Sequence, residues 1–173
     1  ETGQVVRAQY QEMVAAYEEA GVNVYQIPAE AGLPYQVYAR DSSVMTPWGA
    51  IIMQMEKPYR RGEYAAVLRF YLEHGIPIYD IVSAGNVEGG DFMVLKPGVA
   101  ICGYSGERSI EPAVNQLKHW FEAEGWEFMT YAFDPHFLHL DVQMGMIAEN
   151  LAVVCVEAVE PGLVDWLKSK QIR

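Results

Sequence analysis

The 173-residue chain is about half hydrophobic (51%) and one-fifth charged (20%), the balance of a globular protein with its own core, and its length fits one domain. A net charge of −11 with no basic run argues against nucleic acid and anionic membrane as partners, and is compatible with a cationic small molecule. No apolar stretch reaches the roughly 18 residues of a membrane-spanning helix, and the two cysteines, Cys102 and Cys155, lie in apolar strand-like runs that read as core thiols of a reducing, cytoplasmic setting.

The first predicted element is a helix over about 5–20, ended by Gly21 and followed by Val22-Asn23-Val24-Tyr25, whose alternation predicts a strand. Arg40-Asp41 then opens two β-rich runs, 43–46 and 50–53, joined by Pro47-Trp48-Gly49 in a hairpin pattern. A helix follows with Ala65, Leu68, Tyr71 and Leu72 as its apolar stripe, then Gly75 and a strand from Ile76 to Tyr79. Glu88-Gly89-Gly90-Asp91 opens the second hairpin, 92–95 and 99–102 around Lys96-Pro97-Gly98. Beyond the loop Ser105-Gly106-Glu107-Arg108, Ser109 and Pro112 mark a helix start, and Val114, Leu117, Trp120 and Phe121 form its stripe. Gly125 ends that helix and a strand begins at Trp126. His139-Leu140-Asp141 opens the third hairpin, 142–147 and 151–155, ahead of a helix over 161–170 and the first step of a strand at 171–173. No glycine marks this last junction; Lys170 stands there instead.

Gly21, Gly75 and Gly125 are 54 and 50 residues apart. One supersecondary unit per period of about 50 signals a repeat or propeller architecture. The expectation is a single α/β domain over 1–173, holding about three to four units and forming a fragment of a longer domain. The first helix has no hairpin before it and the last strand is only begun, and an array with open ends would expose unpaired strand edges.

The three polar clusters sit at matching points of the repeat and so can converge on one axis. Convergent carboxylates suit a flat, positive guanidinium or amidine, whose in-plane N–H groups they accept. Asp41, Glu88, His139 and Asp141 are the candidates for such a site. His139 is read as the proton carrier, with Glu88 orienting it and raising its pKa, and both polar side chains of His139-Leu140-Asp141 share one face of a strand. Arg108, on a loop before a helix, suits a substrate carboxylate; Arg60 and Arg61 occupy the matching place one unit earlier. Each cluster has an ordinary alternative: a surface ion pair, a turn, a satisfied core histidine, a solvated loop arginine. Their shared register favours function for the set. A metal site from Asp134, His136, His139 and Asp141 is the rival, but His136 and His139 would face opposite sides of a strand, so no metal is expected. A non-catalytic binding or assembly protein is the alternative from another class.

Taken in order, Tyr38-Ala39-Arg40-Asp41, Val87-Glu88-Gly89-Gly90-Asp91, Gly103-Tyr104-Ser105-Gly106-Glu107-Arg108-Ser109 and His139-Leu140-Asp141 resemble the guanidino-group modifying enzymes: arginine deiminase, dimethylarginine dimethylaminohydrolase and the glycine amidinotransferases. The resemblance implies a pseudo-fivefold α/β propeller of ββαβ repeats with its active site on the central axis. It implies Glu88 and His139 as the catalytic acid–base pair. Asp41 and Asp141 would hold the guanidino nitrogens, Arg108 would contact a substrate carboxylate, and Arg40 and Asp91 would join the substrate-binding set. No metal or organic cofactor is implied. The family nucleophile is a cysteine near the C-terminus, which neither Cys102 nor Cys155 matches. The expected activity is therefore guanidine or amidine C–N hydrolysis through a covalent thiouronium, with amidinotransfer as the alternative. A missing C-terminal segment, in cis or as another chain, would bring the cysteine, and this chain alone would be inactive. The expected partner is a small cationic guanidino compound, arginine or a derivative; a homo-oligomer stays open.

Overall fold

The structure, a computed structural model, describes residues 2–173. Helix α1 (Thr2–Glu19) leads, and three similar units follow. The first is β1 (Ser43–Thr46), β2 (Gly49–Ile52), α2 (Glu63–Glu73) and β3 (Ile78–Ile81). The second is β4 (Phe92–Lys96), β5 (Val99–Tyr104), α3 (Glu111–Ala123) and β6 (Glu127–Ala132). The third is β7 (Met144–Ala148), β8 (Leu151–Val154) and α4 (Pro161–Ser169). In the first two units a hairpin is followed by a helical crossover to a strand parallel with the hairpin's second strand, the ββαβ unit that the sequence repeat predicts. The third begins the same closure. Ala152 N–H donates to the Arg173 carbonyl at 2.8 Å, as Ala50 N–H donates to that of Pro77 at 2.8 Å.

The β4–β5 hairpin separates two cores by simple alternation. Phe92, Ala100 and Cys102 face the core shared with the first unit, beside Ile51, Val114 and Phe121. Met93, Leu95, Val99 and Ile101 face the core shared with the third, beside Leu140, Leu163 and Leu167. Trp48 and Trp126 pack edge-on against Phe121, with ring centroids 5.3 and 5.6 Å away. The β4–β5 hairpin therefore carries apolar side chains on both faces.

Three expectations are corrected, and the first helix, found where it was expected, stands apart from the core. Residues 22–25 form no strand, because among the described residues no parallel neighbour offers them a ladder. Helix α1 buries none of its residues. The inward stripe of α2 is Glu63, Ala66 and Val67, whereas Ala65 and Leu72 are exposed; the helix is phased by Glu63, drawn inward by a buried arginine described below. The last junction is shifted by one residue from Lys170. Lys170 caps α4 with φ −88°, and Gln171 takes the left-handed conformation, φ 63°, that Gly21, Gly75 and Gly125 take after the other helices. A β-carbon is strained there. Gln171→Gly is expected to raise the unfolding free energy by about 0.5–1 kcal/mol, read from the urea midpoint; an unchanged or lower midpoint would count against it.

Among the described residues, no helix is long and apolar enough to cross a membrane.

Candidate active site

The three clusters lie where each hairpin begins. Asp41 precedes β1, the 3₁₀ turn Gly89–Asp91 precedes β4, and the 3₁₀ turn Leu140–Val142 precedes β7. Their backbones are in close contact. Gly89 N–H donates to the Asp41 carbonyl at 3.0 Å. A β-carbon on Gly89 would lie 2.0 Å from the Arg40 carbonyl oxygen, and one on Gly90 would lie 2.8 Å from Cγ of His139. The two glycines are thus required by close approach, one to a neighbouring main chain and one to an imidazole ring.

Asp41, Glu88 and His139 come from three different units, yet their potential ligand atoms lie within 4.8 Å of one another. Asp41 Oδ1 accepts the Gly90 N–H at 3.2 Å and Oδ2 accepts Arg60 Nη1 at 3.0 Å. Glu88 Oε1 accepts the Glu56 N–H at 3.0 Å; its Oε2 accepts Arg108 Nη1 and lies 3.6 Å from Arg60 Nη1. His139 Nε2 stands 3.5 Å from Glu88 Oε2 and 3.8 Å from Asp41 Oδ1. Its Nδ1 stands 3.2 Å from Asp91 Oδ2. Asp91 also accepts the Leu140 N–H at 2.8 Å and the Ser109 hydroxyl at 2.5 Å.

This differs from the expected arrangement in three ways. Glu88 faces Nε2, so the group on the orienting nitrogen is Asp91. Asp91 was expected among the substrate-binding residues; it is wholly buried behind the ring with its carboxylate engaged by the protein's own donors. His139 and Asp141 do not share a strand face, since a 3₁₀ turn starts at Leu140. That turn sends Asp141 toward Arg40, whose Nε donates to Asp141 Oδ2 at 3.0 Å and whose Nη2 donates to the Phe92 carbonyl at 3.1 Å. Arg40 and Asp141 line a groove of about 620 Å³ between β1, β4 and β7, with Met45, Met93 and Met144 on its walls. The predicted residues therefore form two layers: a buried cluster of Asp41, Glu88, Asp91 and His139 with the partly buried Arg108 upon it, and the Arg40–Asp141 pair at the groove.

Sequence reasoning missed Glu63 altogether, gave Arg60 only a place matching that of Arg108, and read Ser109 only as a helix start. Arg60 is buried, with Nε and Nη2 gripping both carboxylate oxygens of the equally buried Glu63 at 2.8–3.2 Å. The signal was an acid three residues after an arginine, on the inward face of the following helix. Ser109, expected to cap α3, gives its hydroxyl to Asp91, and Ile110 occupies the cap position instead.

Four buried carboxyl groups (Asp41, Glu63, Glu88 and Asp91) gather with two guanidinium groups, those of Arg60 and Arg108, so the formal charge count of the cluster is net negative. Burial pushes the Glu88 carboxyl above its ordinary range, against the opposing pull of the Glu56 N–H and Arg108. Burial lowers the His139 pKa, but Asp91, Asp41 and Glu88 outweigh it and the net shift is upward. The Asp141 carboxyl is also raised, by burial against Arg40 and His139. Arg60 is shifted upward, because Glu63 and Asp41 overcome its burial. The triad of Asp41, Glu88 and His139 has the spacing to hold a metal ion, but it already receives Arg60 and Arg108. The expected rival ligands do not gather: Asp134 accepts the His136 N–H at 2.8 Å on an exposed loop. Cys102 is wholly buried and its thiol is pushed well up by burial and by Asp91, whereas Cys155 is exposed.

The chain matches the family described as N,N dimethylarginine dimethylhydrolase, eukaryotic, over residues 1–165. Its curated relatives include the uncharacterized protein YkgA of Bacillus subtilis, 29% identical over 162 residues that span 94% of this chain and 55% of the relative. An uncharacterized protein of Aeropyrum pernix is 30% identical over 116 residues, 66% of this chain and 43% of the relative. The chain thus spans about half the length of these curated relatives. Among solved structures it resembles the dimethylarginine dimethylaminohydrolase of Pseudomonas aeruginosa complexed with citrulline (TM-score 0.79, 22% identity, 91% of this chain and 62% of that one). It also resembles the N-terminal domain of ArgZ, a cyanobacterial arginine dihydrolase, bound to substrate (TM-score 0.80, 17% identity, 95% of this chain and 60% of that one). These likenesses establish the fold as the α/β propeller of such enzymes, of which the described residues hold two complete ββαβ units and most of a third.

Proposed function

Because this chain belongs to the N,N dimethylarginine dimethylhydrolase family, a family of guanidino-group hydrolases, we propose that it supplies the cation-binding and proton-handling part of a guanidine C–N hydrolase. The observation that carries this reading is the net negative cluster in which Asp41, Glu88 and His139 from three units meet within 4.8 Å. Asp41 and Asp141 hold the substrate's nitrogens, which keeps the guanidinium protonated and its carbon electrophilic. A cysteine thiolate from outside this chain attacks that carbon. His139 Nε2 gives its proton to the departing amine as the C–N bond breaks, leaving an S-bound thiouronium. Water then adds to the same carbon and yields a proton to His139. The C–S bond breaks, returning the thiolate, and the second proton of the water leaves the product oxygen for solvent, where the released amine takes it up as an ammonium, so that a neutral ureido product departs. Glu88 faces the working nitrogen throughout, and Arg108, parked on Glu88, turns to a substrate carboxylate. Neither cysteine of the chain suits the nucleophile, since Cys102 is a buried thiol and Cys155 is exposed just after β8.

The neighbours support this reading by what they hold: citrulline in one, and in the ArgZ domain a covalently bound reaction intermediate. The substrate class is accordingly arginine or a methylated arginine, the whole of residues 1–173 acts as one domain, and the thiol comes in cis or on another chain.

Calorimetric titration of the chain with arginine, dimethylarginine and uncharged citrulline tests the cation site. The guanidinium ligands are expected to bind at least about tenfold more tightly than citrulline, and Asp41→Asn to weaken them about 10- to 100-fold, the worth of a charge-assisted hydrogen bond. Equal affinity for citrulline, or indifference to Asp41→Asn, would end the proposal.

A further inference from the structure

We propose that Asp91, braced by Ser109, is the positioning residue of His139: it binds Nδ1–H and so dedicates Nε2 to proton transfer. The argument is one of donors and acceptors. Asp91 is wholly buried, and three groups converge on its carboxylate: the Leu140 N–H at 2.8 Å, the Ser109 hydroxyl at 2.5 Å and His139 Nδ1 at 3.2 Å. An N–H can only donate. The Ser109 hydroxyl is itself committed, because its oxygen accepts the Glu88 N–H at 3.1 Å, which turns its proton toward Asp91. A carboxylate that receives an N–H and a hydroxyl proton presents its oxygens as acceptors to the third group as well. Nδ1 must therefore carry a hydrogen in both charge states of the ring. The proton that comes and goes belongs to Nε2, which faces Glu88 and Asp41. Gly90, whose missing side chain leaves room for the ring, lets the imidazole approach the 89–91 turn closely.

The same short loop governs both acids beside the ring. Arg108 donates to Glu88 on the Nε2 side, and the next residue, Ser109, donates to Asp91 on the Nδ1 side. A shift of residues 105–109 would therefore be felt on both nitrogens at once. Charged groups around the imidazole are Asp91, Asp41, Glu88 and Asp141, offset by Arg60, Arg108 and Arg40. Of the acids, only Asp91 meets Nδ1, so it alone selects the tautomer.

This inference rests on the assignment of His139 as the proton carrier, but its test reads the ring itself and needs no turnover. Nitrogen-15 NMR of the 173-residue chain, with the four histidines assigned by substitution, gives both tautomer and titration midpoint. The unmodified chain is expected to show the Nδ1–H tautomer for neutral His139. Asp91→Asn, with the amide spectrum otherwise retained, is expected to lower the proton affinity of the ring roughly tenfold or more. Ser109→Ala should move it the same way by less, and Ser109→Thr, which keeps the hydroxyl, should restore it. A dominant Nε2–H tautomer in the unmodified chain would overturn the proposal without any variant having to fold. So would a midpoint indifferent to Asp91→Asn. Either result would leave the hydrolase reading standing, just as a failure to bind guanidinium ligands would leave this one.

Discussion

Glu63→Gln is expected to lower the unfolding free energy by about 3–5 kcal/mol, the usual cost of stranding one charge of a buried pair. Glu63 and Arg60 are both nearly inaccessible, and the guanidinium grips both carboxylate oxygens at 2.8–3.2 Å. Arg60 stays charged under any ordinary condition, so a neutral amide in place of Glu63 leaves its positive charge in the interior with only Asp41 and the more distant Glu88 to meet it. The damage should not stop at stability. Arg60 would then draw more fully on Asp41 and Glu88, and the cluster would lose the surplus negative charge that suits a cation. Urea denaturation followed by circular dichroism reads the first effect; a loss below about 1 kcal/mol would show that water reaches Arg60. The double change Arg60→Met with Glu63→Leu should recover most of the stability, as apolar replacement of buried ion pairs does, while leaving Asp41 without its partner.

The second large effect is on turnover. In the hydrolase complete with its thiol, His139→Ala is expected to reduce the turnover number about 10²- to 10⁴-fold, the range of a positioned acid–base group, with little change in substrate affinity, because Asp41 and Asp141 carry the cation. Release of amine and ureido product from arginine and dimethylarginine is the measurement, and retained activity would remove His139 from its role. The pH dependence follows from the raised pKa of the ring. The folded protein holds this proton more tightly than the unfolded chain, so the stability it brings is complete below the ordinary imidazole value of about 6.5 and is lost as pH rises through the folded value. Amine departure, which needs the protonated ring, should fade over that same rise. A stability difference between the parent and His139→Ala that grew with pH would contradict this assignment.

Much of the architecture was legible because its causes are local. The continuous β-rich apolar runs 92–95 and 99–102 specify strands with two apolar faces, and the structure uses both faces, one for each flanking core. Val114, Leu117 and Phe121 mark the inward face of α3, where all three are fully buried. Glycine after three successive helices gives the period and hence the repeat. Reading failed where a distant partner decides. Ala65 and Leu72 look like a stripe, but the pull of Arg60 on Glu63 rotates α2 so that Ala66 and Val67 face inward. Gln171 does what glycine does elsewhere because the Arg173 backbone must reach Asn150 and Ala152, and that demand is invisible in a one-residue window.

The order Arg40-Asp41, Glu88-Gly89-Gly90-Asp91, His139-Leu140-Asp141, one cluster at the entrance of each hairpin, was enough by itself to determine that acids and an imidazole from separate units belong to one site. A regular repeat carries equivalent residues to equivalent places. Which acid serves which nitrogen of His139, that Asp141 pairs with an arginine 101 residues away, and that Ser109 and Glu63 brace the cluster were decided only by the tertiary structure. Hydrogen bonds act over about 3 Å, and residues far apart in sequence come that close only after the units have packed.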